Sequence, residues 1–564
     1  MTRGRTRKVR RPPGVSMNKT RLLIAVALSV AGCGGEAVDT TGFAMGPVGF
    51  NSALFYLDGR QGAGVIVDPV GKAGPRGNRQ LHRINAGQAP SGVMTAPLPD
   101  ADAGREQLLV LDPKGEQVVR VRDKAGAADV LPLDVPLQAV DAAPNGRWGL
   151  AYSPEGAAPS RNLFAFPNSV AVLDLSPESP GAQTLRLGDA GARPLRAVFS
   201  DSLKLAGAGD GQGTRALAVA LVFVEGGVVP VDLPSAEAGA LVPLTADRTR
   251  SILPAEVLFT NNRGDTTRGN MDGVERAFVR TTGGELFVLA MTLAPNEQRL
   301  SVALENVVTP DAHVDDIALF FDGQGRSLLL AAAGAELILV DGYTGVAERF
   351  SAPVSVDTLT PYRDAQDAAR ALGYGRESDT PRLLRIDPLA LQARRATGLQ
   401  VVELSRDVQD IRIGRNSRSA VLLYDQSDEL GVLDMRPGGE VLDVRFAERP
   451  SAYRLVDGGE KLLVVSRAPE DGEPYLAEIA LDRELATRKL RLDRGAAAVG
   501  KLGEHYWVDH GSVLGSVTFV PQDTMQADAA RRFRAVRAAH LFEQEPVEGG
   551  FQKPGGLETA RAGG

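Results

Sequence analysis

The tightest cluster of side chains that could do chemistry is His505-Tyr506-Trp507-Val508-Asp509-His510. In a strand, a period of two places His505, Trp507 and Asp509 on one face and the last histidine on the other. Imidazole and carboxylate groups can bind a metal or transfer protons, but here they would need partners from other segments. We therefore favour a histidine at a strand edge and a buried aromatic side chain over a metal or acid-base site.

A second polar group lies just before a predicted strand and contains Asp311, His313, Asp315 and Asp316. It lacks the regular oxygen spacing and the glycine of an EF-hand calcium loop. The pattern is more typical of a solvated loop between repeats.

Two other polar segments are predicted to be loops. The first is Asn261-Asn262-Arg263-Gly264-Asp265, with Asn270, Asp272 and Gly273 after it, and it indicates an exposed insertion for partner contact or weak calcium binding. The second is Gly207-Ala208-Gly209-Asp210-Gly211-Gln212-Gly213, a predicted hairpin tip, because no helix follows that could receive a phosphate.

Motifs for the common catalytic centres are missing from the chain. It contains no Gly-x-Ser-x-Gly, no His-Glu-x-x-His, no Walker phosphate loop and no Cys-x-x-Cys-His haem site. The sequence thus predicts no catalytic residue, no metal ligand and no cofactor.

Cys33 is the only cysteine, and it follows a segment with the layout of a secretory signal. Residues 1–32 hold eight Lys or Arg and no Asp or Glu, and an apolar run covers residues 22–31. A membrane-spanning helix needs about 20 apolar residues, so this run predicts a transient export segment. Translation from Met17 would keep a shorter basic segment before the same run.

The run ends in Val30-Ala31-Gly32-Cys33, which resembles the lipobox of bacterial lipoproteins. The resemblance implies cleavage before Cys33, diacylglycerol on its thiol and an acyl chain such as palmitate on its amine, which makes membrane lipid a partner. Gly34 and Gly35 follow in place of an aspartate, which implies the outer membrane. The alternatives are a chance cysteine after an ordinary cleavable signal and a buried structural cysteine.

Composition limits the partners of the exported chain. From Cys33 onward there are 55 basic and 70 acidic residues, a formal charge of −15, which disfavours nucleic acid. With no second cysteine there is no intramolecular disulfide, so stability must come from apolar burial.

A short apolar strand that ends in an acidic turn recurs along the chain. Its eight occurrences place an aspartate at Asp68, Asp112, Asp174, Asp232, Asp341, Asp387, Asp434 and Asp482. Neighbouring aspartates are 44 to 62 residues apart, except for a gap of 109 whose midpoint holds the similar strand around Leu289. We expect each carboxylate to accept backbone N–H groups of the turn that follows it.

Several of these strands are preceded by a strand, a polar turn and another strand, as at residues 411–423 and 455–465. A four-stranded unit of about 40 to 50 residues is typical of a β-propeller blade. The sequence therefore predicts an all-β fold, a propeller of four-stranded blades.

The Val-Leu-Asp strands, with Ser153-Pro154-Glu155-Gly156, resemble the bacterial surface propellers with YVTN or lactonase-like repeats, over residues 45–525. WD40-type kinship is disfavoured because Trp148 and Trp507 are the only tryptophans. Double glycines, as at Gly458-Gly459, are similar to kelch repeats, but the aromatic partners of kelch blades are missing.

Ten candidate units can be counted if the strands around Leu289 and Val517 are included. Since single propellers usually have up to about eight blades, we favour eight, with seven blades or two propellers as alternatives. Thr360, Pro361 and Gly373 bracket a predicted helix, whose alternative is an irregular strand. The segment 528–540 is interpreted as a short helix or, over 533–542, a closing strand.

The domain boundaries follow from these patterns. We expect a lipoprotein signal peptide over residues 1–32, a lipidated linker over 33–44, the propeller over 45–545 and a flexible tail over 546–564.

Two functions fit the sequence. The favoured one is a membrane-anchored, non-enzymatic binding or scaffold lipoprotein of the cell envelope, whose loops face an envelope protein or glycan. The alternative is a metal-dependent, lactonase-like hydrolase with carboxylates in the central channel.

Overall fold

The short apolar strands form ten antiparallel sheets that follow one another along the chain, and each sheet is one blade of a β-propeller. A computed structural model of the protein describes residues 45–534 apart from short internal segments. Those segments are 59–61, 70–80, 100–104, 155–166, 189–192, 207–213, 248–249, 261–274, 295–298, 309–312, 322–326, 343, 365, 367, 376–380, 415–417, 425–426, 437, 447–448, 467–472, 483–484, 512–515 and 527–530.

Blades 1 to 5 come first, and blade 4 carries a fifth short strand that pairs with β15. Blade 1 contains β1 (Met45–Phe50), β2 (Ala53–Asp58), β3 (Ala63–Val67) and β4 (Leu81–Asn85). Blade 2 contains β5 (Gly92–Pro97), β6 (Glu106–Asp112), β7 (Gln117–Val121) and β8 (Ala128–Pro132). Blade 3 contains β9 (Ala139–Ala142), β10 (Trp148–Tyr152), β11 (Ser169–Asp174) and β12 (Gly181–Arg186). Blade 4 contains β13 (Pro194–Ala206), β14 (Thr214–Val224), β15 (Gly227–Asp232), β16 (Glu237–Ala238) and β17 (Val242–Pro243). Blade 5 contains β18 (Pro254–Phe259), β19 (Glu275–Thr281), β20 (Leu286–Leu293) and β21 (Leu300–Val308).

Blades 6 to 10 complete the series. Blade 6 contains β22 (Asp316–Phe321), β23 (Ser327–Asp341) and β24 (Ala347–Val356). Blade 7 contains β25 (Thr358–Arg363), β26 (Ala369–Tyr374), β27 (Arg382–Ile386) and β28 (Leu399–Glu403). Blade 8 contains β29 (Val408–Ile413), β30 (Ser419–Tyr424), β31 (Glu429–Asp434) and β32 (Val441–Arg445). Blade 9 contains β33 (Pro450–Val456), β34 (Lys461–Ser466), β35 (Tyr475–Ala480) and β36 (Thr487–Arg491). Blade 10 contains β37 (Ala498–Leu502), β38 (His505–Asp509), β39 (Ser516–Pro521) and β40 (Arg531–Arg534).

Blade 6 has three strands because one of them is unusually long. β23 pairs with β22 through residues 327–332 and with β24 through residues 334–340. One continuous strand thus occupies the second and third positions of this blade.

Helical structure in the described residues is confined to three short elements within or beside blades. They are α1 (Pro388–Gln392) and the 3-10 turns Ala396–Gly398 and Asp457–Gly459. Asp387 caps α1 by accepting a hydrogen bond from the backbone N–H of Ala390 at 2.9 Å. Within the described residues, no helix is both long and apolar enough to cross a membrane.

Each pair of neighbouring blades encloses its own apolar cluster. Along β6, for example, Val110 packs towards blade 1, whereas Leu109 and Leu111 pack towards blade 3. Because side chains alternate across a strand, a strand that is apolar at every position covers two neighbours at once. This explains why the second and third strands of the blades are continuous apolar runs and not alternating ones.

The ring closes between blade 10 and blade 1 by the same kind of packing. Val517 and Phe519 of blade 10 are fully buried against Leu54, Tyr56 and Val65 of blade 1. Each of these two terminal blades is built from consecutive strands of its own segment, so the ring closes without a shared blade.

The blade number corrects the sequence prediction. The structure has ten blades in one ring, not eight or seven, and not two propellers. The eight-blade expectation merged repeats to match the usual size of propellers, whereas ten inter-blade clusters show that every counted repeat forms a blade. The long spacing between Asp174 and Asp232 comes from an extended hairpin, the 13-residue β13 and the 11-residue β14.

The helix predicted after Thr360 is also wrong. Residues 358–363 and 369–374 form the first two strands of blade 7, and they pair from Thr358 with Tyr374 to Arg363 with Ala369. Pairing across the blade outweighs the local helix signals of Thr360 and Pro361. At the other ambiguous segment, Arg531–Arg534 pairs with β39 as the outer strand of blade 10, and residues 535–540 lie outside the described part.

The first strand of each blade lines the centre of the ring and the fourth forms its rim. First strands of successive blades contact one another, as β22 contacts β25 and β33 contacts β37. Fourth strands such as β28 and β36 are largely exposed.

Most of the recurrent aspartates act as expected on the turn that follows them. In five of the eight, a carboxylate oxygen accepts the N–H of a residue two or three positions later, at 2.8 to 3.0 Å; these are Asp174, Asp341, Asp387, Asp434 and Asp482. Asp112 differs, since it accepts the N–H groups of Gln88 and Ala89, which precede blade 2. Asp68 instead pairs with Lys124 of blade 2 at 2.8 Å.

Arginines from the preceding blade hold four of the turns between third and fourth strands. Arg120 of blade 2 donates to the carbonyl of Ser176, and Arg276 of blade 5 to that of Gly342. Arg488 of blade 9 donates in the same way to the turn after β39. We call these contacts arginine clasps, because a guanidinium of one blade fixes the backbone of the next.

Arg385 makes the most extensive clasp. Its guanidinium donates to the carbonyls of Arg436 at 2.7 Å, Asp434 at 2.8 Å and Gly439 at 3.3 Å, all in blade 8. The residue is only 8% exposed, so water has little access to replace these bonds.

We predict that Arg385→Leu lowers the free energy of unfolding by about 2 to 4 kcal/mol, because three carbonyl groups lose a buried charged donor. Thermal and urea unfolding of the purified chain measure the change. Arg445→Leu is the matched control, since Arg445 is 74% exposed in its ion pair with Asp428 and such surface pairs contribute about 0 to 1 kcal/mol. Equal losses in the two variants would contradict a structural role for the clasp.

Candidate functional site

His510 of the 505–510 cluster has structural surroundings. His510 Nδ1 lies 3.0 Å from the carbonyl oxygen of Gly495, and its Nε2 lies 2.8 Å from Thr518 Oγ1. Both ring nitrogens are therefore engaged. The predicted alternation is confirmed, because Trp507 packs towards blade 1 whereas Tyr506 packs towards blade 9.

The polar group around His313 does not converge on one point. His313 Nδ1 lies 3.1 Å from Asp315 Oδ1 on the surface, whereas Asp316 faces other blades, and Asp311 lies outside the described residues. Among the residues that the structure describes, no three His, Cys, Asp or Glu side chains are grouped to hold a metal ion.

Three other candidates from the sequence lie outside the described residues. They are Cys33, the loop over residues 261–273 and the loop over residues 207–213. Their proposed roles stay predictions.

A chain of polar contacts runs along the first strands of blades 3 to 7, and sequence reasoning missed it. It begins in blade 3, where Tyr152 Oη donates to Asp141 Oδ2 at 2.7 Å. Burial raises the pKa of Asp141, and the hydrogen bond from Tyr152 and the nearby Arg196 partly offset that shift. In blade 4, Arg196 continues the chain by donating to the carbonyl of Pro254 in blade 5 at 2.9 Å.

Glu256 and Asp316 form a carboxyl pair at the junction of blades 5 and 6. Arg280 Nη2 lies 3.8 Å from Glu256 Oε2 and 3.9 Å from Asp316 Oδ1. Asp316 also accepts the N–H of Ile317 at 3.0 Å and that of Leu359, in blade 7, at 2.7 Å. One carboxylate therefore contacts three successive blades.

The protonation of Glu256 is shifted towards neutral pH. Burial and then the charge of Asp316 raise the pKa of Glu256 to about 7, although Arg280 acts in the opposite direction. A second negative charge close to Asp316 is costly, so Glu256 keeps its proton to a higher pH than usual. Chemically, Glu256 could donate or accept a proton near pH 7.

A sequence signal for these positions exists in retrospect. Arg196 and Glu256 each stand two residues after a proline, Pro194 and Pro254, and a register shift in the strand pairing follows each proline. A β-bulge re-aims the following side chain, and such bulges are frequent at functional sites. The sequence alone does not mark Arg196 and Glu256 as site residues, because the bulge that orients their side chains is seen only in the structure.

An open cleft of about 500 Å³ lies where the first strands of blades 8, 9 and 10 end. Its polar side chains are Arg454, Asp457 and Lys501, and the rest of its lining is glycine backbone and aliphatic side chains. Cavities of this size are typical of small-molecule sites.

Glycines shape this cleft by letting two turns approach closely. A Cβ on Gly414 would lie 2.4 Å from the Cα of Gly459, and Gly459 itself has a φ of 93°. Any larger residue at either position would push the turns of blades 8 and 9 apart. The double glycine at 458–459 is thus explained by close approach and left-handed backbone and not by a kelch repeat.

Of the charged side chains in the cleft, Asp457 has cationic partners whereas Arg454 has no anionic partner among the described residues. Asp457 is contacted by Lys501 and also by Lys461 at 3.4 Å and Gln522 at 3.0 Å. Although burial opposes the shift, these lysines hold the pKa of Asp457 below its usual value. The side chain of Arg454 is exposed and forms no ion pair or hydrogen bond within the part of the chain that the structure describes.

Comparison with known proteins shows distant likeness to solved structures only. No protein-family model matches the chain, and no curated protein matches it. The dihydro-heme d1 dehydrogenase NirN is 14% identical with a TM-score of 0.37, covering 78% of this chain and 79% of its own. A eukaryotic initiation factor is 11% identical with a TM-score of 0.40, covering 79% and 96%. The extracellular domain of a one-component system from B. thetaiotaomicron is 10% identical with a TM-score of 0.27, covering 86% and 71%. At such values the likenesses carry no argument about function.

We predict that stability falls as the pH rises from about 4.5 to about 7, because folded Glu256 retains a proton that the unfolded chain has lost. Glu256→Gln removes this contribution and flattens the curve in that window. Urea unfolding at several pH values measures it, with Glu403→Gln, an exposed rim glutamate paired with Arg382, as the control. Identical pH slopes for wild type and Glu256→Gln would contradict the shifted carboxyl pair.

Proposed function

We propose that this chain is a membrane-anchored, non-enzymatic binding or scaffold lipoprotein of the cell envelope. One observation supports binding over catalysis. The charged side chains of blades 3 to 7 are used in contacts between blades, whereas the cleft of blades 8 to 10 has an exposed charge that is open to a ligand. Charged groups along the inner strands of blades 3 to 7, such as Arg196 and Asp316, contact neighbouring blades. The cleft of blades 8 to 10 is open and presents the exposed Arg454.

Anchoring in this proposal comes from Cys33. The basic leader, the short apolar run and the lipobox-like Val30-Ala31-Gly32-Cys33 support acylation, and the glycines that follow support the outer membrane. Two or more acyl chains anchor a protein stably, whereas one chain holds it only marginally.

We expect the wild-type chain in the membrane fraction after a high-salt wash, labelled by palmitate and released by detergent. Cys33→Ala should move it to the soluble fraction, because no acyl chain can be attached. Gly35→Ala is the control, since it leaves the thiol in place. A wild-type chain that is soluble and unlabelled would refute the anchor and favour an ordinary cleaved signal.

A second function, a metal-dependent lactonase-like hydrolase, has one observation in its favour. Glu256 and Asp316 bring two carboxyl groups together on neighbouring inner strands, and divalent cations bind such oxygen ligands. Among the described residues, however, no third His, Cys, Asp or Glu side chain joins these two carboxyl groups, and the cationic Arg280 lies beside them.

Metal analysis separates the two functions. For the binding protein we expect no stoichiometric metal in the purified full-length chain and no change of melting temperature with EDTA or added calcium. Glu256→Gln should leave that result unchanged. A bound stoichiometric ion that is lost in Glu256→Gln, with melting lowered by EDTA, would favour the hydrolase and call for a screen of lactones and phosphoesters.

A further inference from the structure

The cleft of blades 8 to 10 has the features of a site for a small anion. Two cations, Arg454 and Lys501, line it against one acid, Asp457. The charge of Asp457 is already matched by Lys501 and Lys461. The charge of Arg454 is therefore left for a ligand.

The geometry of the Arg454 guanidinium favours a carboxylate as the anion. Arg binds planar carboxylates through two parallel N–H···O bonds, which gives both strength and orientation. The exposed side chain of Arg454 can rotate into such a pair without breaking an ion pair or side-chain hydrogen bond among the described residues.

The rest of the lining suits hydroxyl groups. Gly458 and Gly503 line the cleft and are exposed, and at a glycine no side chain covers the backbone N–H and C=O groups. Polyhydroxylated ligands use many such polar contacts. The aliphatic part of the lining is limited to Ile413, Leu455 and Val456, too little for a mainly apolar ligand.

The overall negative charge of the chain favours a short anionic ligand over a long one. From Cys33 onward the chain carries a formal charge of −15, which repels long polyanions. A cleft of about 500 Å³ holds one or two sugar residues. Both observations favour a short acidic saccharide.

We propose that this cleft binds an acidic sugar, with the carboxylate on Arg454 and the hydroxyl groups on the exposed backbone of Gly458 and Gly503. The inference rests on the proposed binding function and names its ligand class. Lys501 also lines the cleft, where it is paired with Asp457.

Binding is measured by calorimetry and ligand-observed NMR on the full-length chain in detergent, with digalacturonate as the probe. We expect digalacturonate to bind, the neutral sugar maltose not to bind, and affinity to fall as salt is raised, since a charge pair is screened. Arg454→Gln should weaken binding at least about tenfold, a typical effect for losing one charge-assisted pair. Arg445→Gln, on the exposed rim of blade 8, is the matched control and should bind as wild type.

Three results would overturn the inference. Binding unchanged in Arg454→Gln would place the sugar elsewhere, and tighter binding of a tripeptide with a free carboxyl terminus would assign the cleft to peptides. No binding of digalacturonate would remove the acidic sugar as ligand. None of these results would touch the proposed function, which fails separately if the Cys33 or metal experiments fail.

Discussion

Each blade of this propeller has two apolar faces, and only its two neighbours can cover them. Leu109 and Val110 are adjacent in one strand yet pack into different inter-blade clusters. A blade without a neighbour on one side would expose a full sheet face to water, at a cost of about 25 cal/mol per Å² of apolar surface. The ring must therefore close, and it does so where Phe519 packs on blade 1.

Polar contacts add alignment to this apolar packing. Aspartates such as Asp434 order the turn after the third strand of a blade, and an arginine of the preceding blade then bonds the carbonyls of that turn. Apolar packing tolerates small slides between sheets, whereas hydrogen bonds from a rigid guanidinium do not. The arginine clasps thus fix how far successive blades are displaced from one another.

The ring has two differently used polar regions at its centre. Along blades 3 to 7 the charged groups link strand to strand, and Asp316 alone contacts three blades. Across blades 8 to 10 closely packed glycine turns border an open cleft, and Arg454 is exposed there. A ligand at the second region could bind without breaking the links of the first, which is what a binding protein with a rigid frame requires.

The sequence by itself determined the local features of this protein. The all-β class, the four-stranded repeat and the aspartate turns follow from short-range patterns, because strand pairing within a blade joins segments close in sequence. Even the count of ten repeats was present, although the usual size of propellers led away from it. Tertiary structure alone decided that all ten repeats form one ring, and it overrode the helix signals at Thr360 by strand pairing. It also brought together Glu256 with Asp316, Arg385 with the turn at Asp434, and Gly414 with Gly459. These partners lie 45 to 60 residues apart on different blades, so only the curvature of the closed ring sets the distances between them.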